Sequence, residues 1–218
     1  DYEMGRSTVA AFKAAVTAKG AQDAGEVFAP LDSKDYSPYF GQIRAAHPNV
    51  LYTSVAGNDT VRLFTQMEEY GLLKNLTVLG ASGTVTTQNI GAIGKAAEGF
   101  VTGVGYSPEI DTPENKKFVG AFKAAYKIAP DLYGADSYGL LYFYKAAVEK
   151  AGSTATAPVR KAMEGLKWST PQGVKEMRAA DHQAVQDMYA VQVTKGAFKI
   201  ISKIDGPAAI GPSSCKRW

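Results

Sequence analysis

Three short clusters combine small residues with groups that can hold a ligand: Asp1-Tyr2-Glu3-Met4-Gly5, Ala56-Gly57-Asn58-Asp59 and Ala81-Ser82-Gly83-Thr84. Glycine and alanine let a small molecule approach the backbone, and a helix that starts nearby offers unpartnered N–H groups that favour a carboxylate. Tyr2 and Met4 add aromatic and apolar surface, Asn58, Ser82 and Thr84 add neutral polar groups, and Asp59 adds a negative charge. The chemistry this suggests is reversible capture of a small organic ligand. Gly, Asn and Asp are also good turn and cap residues, so each cluster taken singly has a plain structural use. The capture reading rests on the three occurring at equivalent places along the chain.

Catalytic constellations are weaker. Gly80-Ala81-Ser82-Gly83 resembles a nucleophile elbow, but that motif needs glycine two residues after the serine, where Thr84 stands. The two histidines are isolated: His47 precedes a proline and His182 lies in a polar stretch, which suits capping and solvation better than catalysis or metal binding. Gly91-Ala92-Ile93-Gly94 lacks the lysine of a phosphate loop. The single cysteine, Cys215, forms no cysteine-rich metal site. No enzyme activity, metal or cofactor is expected. Lys and Arg number 24 against 21 Asp and Glu and are scattered, so no basic stripe points to nucleic acid. Hydrophobic residues at 45% predict a folded globular protein.

The elements that must carry these clusters alternate in character. Helical spacing runs through Val9, Phe12, Ala15 and Val16 and stops at Gly20. A short extended run, Glu26–Ala29, follows. Ser37-Pro38 predicts an N-cap and first helical residue for a helix over 39–46. Val50–Ser54, Leu76–Gly80 and Gly99–Gly105 read as buried strands, with a helix through Val61, Phe64 and Met67 between the first two. Strands alternating with helices predict an α/β domain with a parallel sheet. The clusters then fall at strand carboxyl ends, where open α/β sheets bind ligands. Asp1–Gly5 looks like the loop after a strand, and a missing amino-terminal portion is the expectation. Further on, 113–127, 133–150 and 158–166 read as helices, 188–193 and 198–204 as strands joined at Lys195-Gly196, and the tail from Pro207 as loop. The aromatic residues Tyr138, Tyr142, Phe143 and Tyr144 fit a helix packed on a sheet, and that sheet is expected to be mostly absent, exposing an apolar patch.

The order of these features resembles the leucine/isoleucine/valine-type (type I) periplasmic solute-binding proteins of ABC importers. The resemblance is carried by Asp1-Tyr2-Glu3-Met4-Gly5-Arg6 before an Ala-rich helix, Asp35-Tyr36-Ser37-Pro38 with Ile43, Gly80 with Ser82-Gly83, Ala97–Phe100, Pro171-Gln172-Gly173 and Asp181-His182-Gln183. It covers about residues 1 to 205 and implies a two-lobed periplasmic-binding-protein-like fold with doubly wound parallel sheets, the first lobe incomplete in this chain. Residues 1–105 would be the second-lobe body, 106–190 the carboxyl-terminal part of the first lobe, and 191–218 a crossing and tail. The implied role is an extracytoplasmic receptor that closes on a small molecule and serves a membrane permease; a ligand-sensing domain of the same fold is the alternative. The implied contacts are Tyr2, Met4, Gly5, Ala56, Gly57, Asn58, Asp59, Ser82, Gly83 and Thr84. Members that bind aliphatic amino acids place Tyr where Met4 stands and Glu where Ser82 stands. A neutral hydroxyl forgoes the charge-assisted bond to an ammonium, about 1.5–3 kcal/mol. An aromatic or other small carboxylate is therefore the expected ligand, with a branched-chain amino acid next.

Overall fold

The computed structural model describes residues 1–213, so Cys215 lies outside the described residues. Contacts divide these residues into two units, Asp1–Gly103 with Val191–Lys199, and Val104–Ala190 with the residues from Ile200 onward.

In the first unit, α1 (Glu3–Thr17), α2 (Ser37–Ala45) and α3 (Asn58–Glu69) alternate with β1 (Val50–Thr53) and β2 (Thr77–Gly80). A short α4 (Ile90–Ile93) then leads to β3 (Val101–Val104). β1, β2 and β3 pair in parallel, Thr53 opposite Gly80 and Gly80 opposite Thr102. The order β1-β2-β3-β7-β8 is completed by β7 (Met188–Thr194) and β8 (Ala197–Ile204). Lys195 and Gly196 have φ of 53° and 72°, the left-handed pair a two-residue hairpin turn requires. Glu98 accepts both of their N–H groups, at 2.8 and 3.3 Å.

The core of this unit follows from periodicity. Thr60, Leu63, Phe64 and Met67 form the buried stripe of α3 at intervals of three and four residues. They meet Phe40, Val78, Phe100 and Val193, with the Phe64 and Phe100 rings edge to face at 5.6 Å. Each large side chain buried in this way contributes about 1.5–3 kcal/mol.

The second unit holds α5 (Pro113–Tyr126), α6 (Leu132–Ala151), α7 (Thr156–Met163) and α8 (Gly206–Ile210). It also holds an antiparallel sheet of β4 (Lys167–Thr170), β5 (Gly173–Met177) and β6 (Ala184–Val185). Thr112 caps α5 by accepting the Asn115 N–H, and Asp131 caps α6 by accepting the Gly134 N–H at 2.8 Å. Asn115 itself is fully buried, its amide donating to the carbonyls of Ile110 and Pro108. Phe143 of α6 packs on Trp168 of β4 with ring centres 4.3 Å apart.

Several expectations need correction. Ser37 is the first helical residue of α2, and its N–H is met by Asp35 at 2.8 Å, so the carboxylate does the capping. No strand forms at 26–29. The tail read as loop contains α8. The helices after 106 have a partial cover in β4–β6, strands too short and polar for their alternation to stand out. His182 sits in the β5–β6 turn at φ 60°, beside an Arg178–Asp181 ion pair of 2.6 Å. That pairing, with Arg178 donating to Asp181, holds the carboxyl well below its ordinary range.

Candidate functional site

The three clusters do lie at one edge of the first unit. Because β1 and β2 are parallel and in register at their ends, the loops after Thr53 and after Gly80 leave the sheet side by side. The Ala81 N–H donates to Thr53 O at 3.0 Å. The start of α1 is tied to the same place: Thr8 Oγ1 donates to Met4 O at 2.7 Å and pairs with Ser54 Oγ at 2.8 Å. Thr8 and Ser54 were not singled out in the sequence; a threonine four residues after Met4 on a helix was the available signal.

Two helices open at this edge, and neither has a side-chain cap. Tyr2 precedes α1 in extended backbone, and Gly57 precedes α3 at φ 60° and ψ −133°, a conformation open essentially to glycine. Their first N–H groups can therefore meet an anion. Gly80 is fixed by close approach: a Cβ there would lie 2.5 Å from the Phe100 ring and 3.2 Å from Thr53 O.

A cavity of about 150 Å³ lies beside β1. Of the predicted contacts it brings together Tyr2, Gly5, Ala56 and Asp59; Met4, Gly57, Asn58, Ser82, Gly83 and Thr84 are outside its lining. Met4, Asn58 and Ser82 are exposed at the edge, whereas Gly83 and Thr84 are buried behind it. Tyr36, Tyr39 and Tyr52 also line the cavity; their spacing in the sequence carries no sign of this, since they come from a helix entry, a helix and a strand. Burial, with the negative charge of Asp59, pushes the Tyr36 hydroxyl up to about 12. Burial likewise raises that of Tyr52.

Asp59 has structural work to do. It accepts from Arg62 on one oxygen and from the Asp32 N–H on the other at 2.9 Å, while Arg62 also reaches Asp32 at 2.7 Å. This network fastens the loop at 30–34 to the first turn of α3. At the other end, Arg6 pairs with Asp1 and lies over the Phe28 ring at 4.4 Å. Among the described residues, no group of three or more His, Cys, Asp or Glu side chains is placed to hold a metal ion. No helix among them is long and apolar enough to cross a membrane.

Comparison with known proteins places this geometry. A Leu/Ile/Val-binding protein homolog from Brucella melitensis biotype 1 is 27% identical over 200 residues, covering 89% of this chain and 51% of the relative. The solved solute-binding protein of an ABC transporter from Rhodopseudomonas palustris BisB5, in complex with 3,4-dihydroxybenzoic acid, is 27% identical with a TM-score of 0.85. It matches 94% of this chain and 58% of its own. An amino acid ABC transporter substrate-binding protein from Pseudomonas fluorescens Pf-5 is 25% identical with a TM-score of 0.83, matching 94% and 57%. The chain thus spans a little over half the length of the proteins it matches. A family profile described as periplasmic binding protein matches residues 1–197, and together with the α/β fold and these neighbours it establishes that the chain belongs to the type I periplasmic binding protein family.

Proposed function

We propose that the chain is a ligand-binding portion of an extracytoplasmic solute receptor that hands its cargo to the membrane permease of an ABC importer. Residues 1–105 serve as the body of one lobe, 106–190 belong to the other, and 191–218 form the crossing and tail. The observation that carries this reading is the convergence of the Asp1–Gly5, Ser54–Asp59 and Ala81–Thr84 segments on one sheet edge, with two uncapped helix starts among them. Such an edge supplies one wall of a ligand site.

The ligand is a small organic carboxylate, aromatic acids ahead of branched-chain amino acids. Its carboxylate is met by backbone N–H groups at the starts of α1 and α3, and its body by Tyr2 and Met4. Ser82 offers no charge to an ammonium, and Asp59 is committed to Arg62 and Asp32. The relative solved with 3,4-dihydroxybenzoic acid supports the aromatic choice. Amide chemical shifts recorded by NMR during titration test the reading even where binding to one wall is weak. Addition of 3,4-dihydroxybenzoate is expected to move Glu3, Met4, Asn58 and Gly83 while leucine leaves them in place. Movement with leucine and valine but not with aromatic acids, or movement confined to other residues, would overturn it.

A further inference from the structure

One side chain at the carboxyl end of β1 has a fixed hydrogen-bond polarity. Thr8 Oγ1 lies 2.7 Å from Met4 O and 3.2 Å from Gly5 O, both about one turn earlier in α1. A carbonyl oxygen can only accept, and a hydroxyl carries one hydrogen. The Thr8 hydrogen is therefore committed inside its own helix, a common use of threonine there. Toward Ser54 Oγ, 2.8 Å away, Thr8 has only lone pairs to offer. Ser54 must be the donor in that pair, and its single hydrogen is committed too. What remains on Ser54 Oγ is acceptor capacity alone.

Ser54 stands where this polarity matters. It is the first residue after β1, half-buried, and it lines the cavity with Tyr2, Gly5 and Ala56. Gly5, the buried residue of α1, lets that helix come close. A Cβ there would lie 4.0 Å from Ser54 O and 3.6 Å from the Tyr2 ring. The uncapped starts of α1 and α3 offer N–H donors, and Ser54 sets an acceptor beside them. The two carboxylates that line the cavity, Asp1 and Asp59, are paired with Arg6 and Arg62.

We propose that Ser54 is a specificity residue, an accept-only hydroxyl that selects a ligand bearing an O–H donor as well as its carboxylate. This deepens the carboxylate reading above and rests on it. Hydroxy-substituted aromatic acids are then preferred over unsubstituted ones. An O–H set against Ser54 gains a bond, whereas a C–H leaves a half-buried acceptor without one. An ether oxygen at the same place sets lone pairs against lone pairs. Thr8 is a positioning residue that acts by holding the Ser54 hydrogen.

The test measures dissociation constants by amide-shift titration with 3,4-dihydroxybenzoate, benzoate and 3,4-dimethoxybenzoate. The native chain is expected to bind the dihydroxy acid about fivefold or more tighter than benzoate. The dimethoxy acid, which has oxygens but no O–H, should bind no better than benzoate. Ser54→Ala should make the dihydroxy acid and benzoate equal. Thr8→Val should free the Ser54 hydrogen and narrow the gap between the dihydroxy and dimethoxy acids. Equal binding of the dihydroxy acid and benzoate by the native chain would sink the proposal and leave the carboxylate reading standing. So would dimethoxy binding that matches the dihydroxy acid, or a preference that survives in Ser54→Ala. The native comparison needs no variant, so a Ser54→Ala chain that fails to fold leaves the test decisive. Absence of shifts with all three acids would remove both readings.

Discussion

Tyr36 shows how a single residue near the candidate site couples stability to pH. Its hydroxyl ordinarily titrates at 10.0 and is raised to about 12, first by burial and then by the nearby Asp59 carboxylate. The folded chain therefore keeps a proton that the unfolded chain gives up between those values, and stability present below pH 10 is lost as pH rises toward 12. The loss from this group is at most about 3 kcal/mol. Urea unfolding across that interval should show a falling midpoint in the native protein and a shallower fall in Tyr36→Phe. A remaining slope is expected because burial also raises Tyr52 and Tyr106. None of this is legible in sequence, where Tyr36 is only part of a helix entry. Its burial is created by α2 and α3 folding over β1.

At the scale of elements, α1 and α3, which open at the candidate site, carry no side-chain cap, as is also true of α7 and α8, whereas α5 and α6 are capped by Thr112 and Asp131. Asp131→Ala removes the acceptor of the Gly134 N–H and should lower stability by about 1 kcal/mol, read as a shift in the urea midpoint. Ligand-induced shifts at Asn58 and Gly83 should be unchanged, because that cap lies in the other unit. The helix starts were visible in the sequence to within a few residues, since Pro113 and the apolar spacing of 61–67 mark them. The sheet β4–β6 was not, because strands of two to five residues, with Lys, Glu and Ser on the longer two, do not alternate cleanly.

For the molecule as a whole, the notable feature is apolar surface on α6. Leu140 and Leu141 are 61% and 70% exposed, with Tyr142 and Tyr144 half exposed beside them. A monomeric protein rarely leaves such a run open to water. Sedimentation velocity should show concentration-dependent association of this chain. Leu140→Glu with Leu141→Glu should suppress that association while shifting the unfolding midpoint by no more than about 0.5 kcal/mol per site, as expected for exposed positions. A monomer at all concentrations would show that this face needs no cover.

Sequence patterns alone were enough for the α/β class, for strands at 50–54, 76–80 and 99–105, which form at 50–53, 77–80 and 101–104, for the turn at Lys195-Gly196 and for the family. These follow from local patterns: short apolar runs, helical spacing, and glycine where φ must be positive. Tertiary structure alone decided which of the candidate residues share a surface. The β1–β2 register set the clusters side by side, and the cavity then gathered Tyr2, Gly5, Ala56 and Asp59 while leaving Ser82 to Thr84 outside. It also decided that the Asp59 carboxylate serves Arg62 and Asp32, a partnership across 27 residues of chain to Asp32 that no spacing rule reaches. Register and long-range pairing depend on how distant faces fill one another's volume, and that information is distributed over the whole chain.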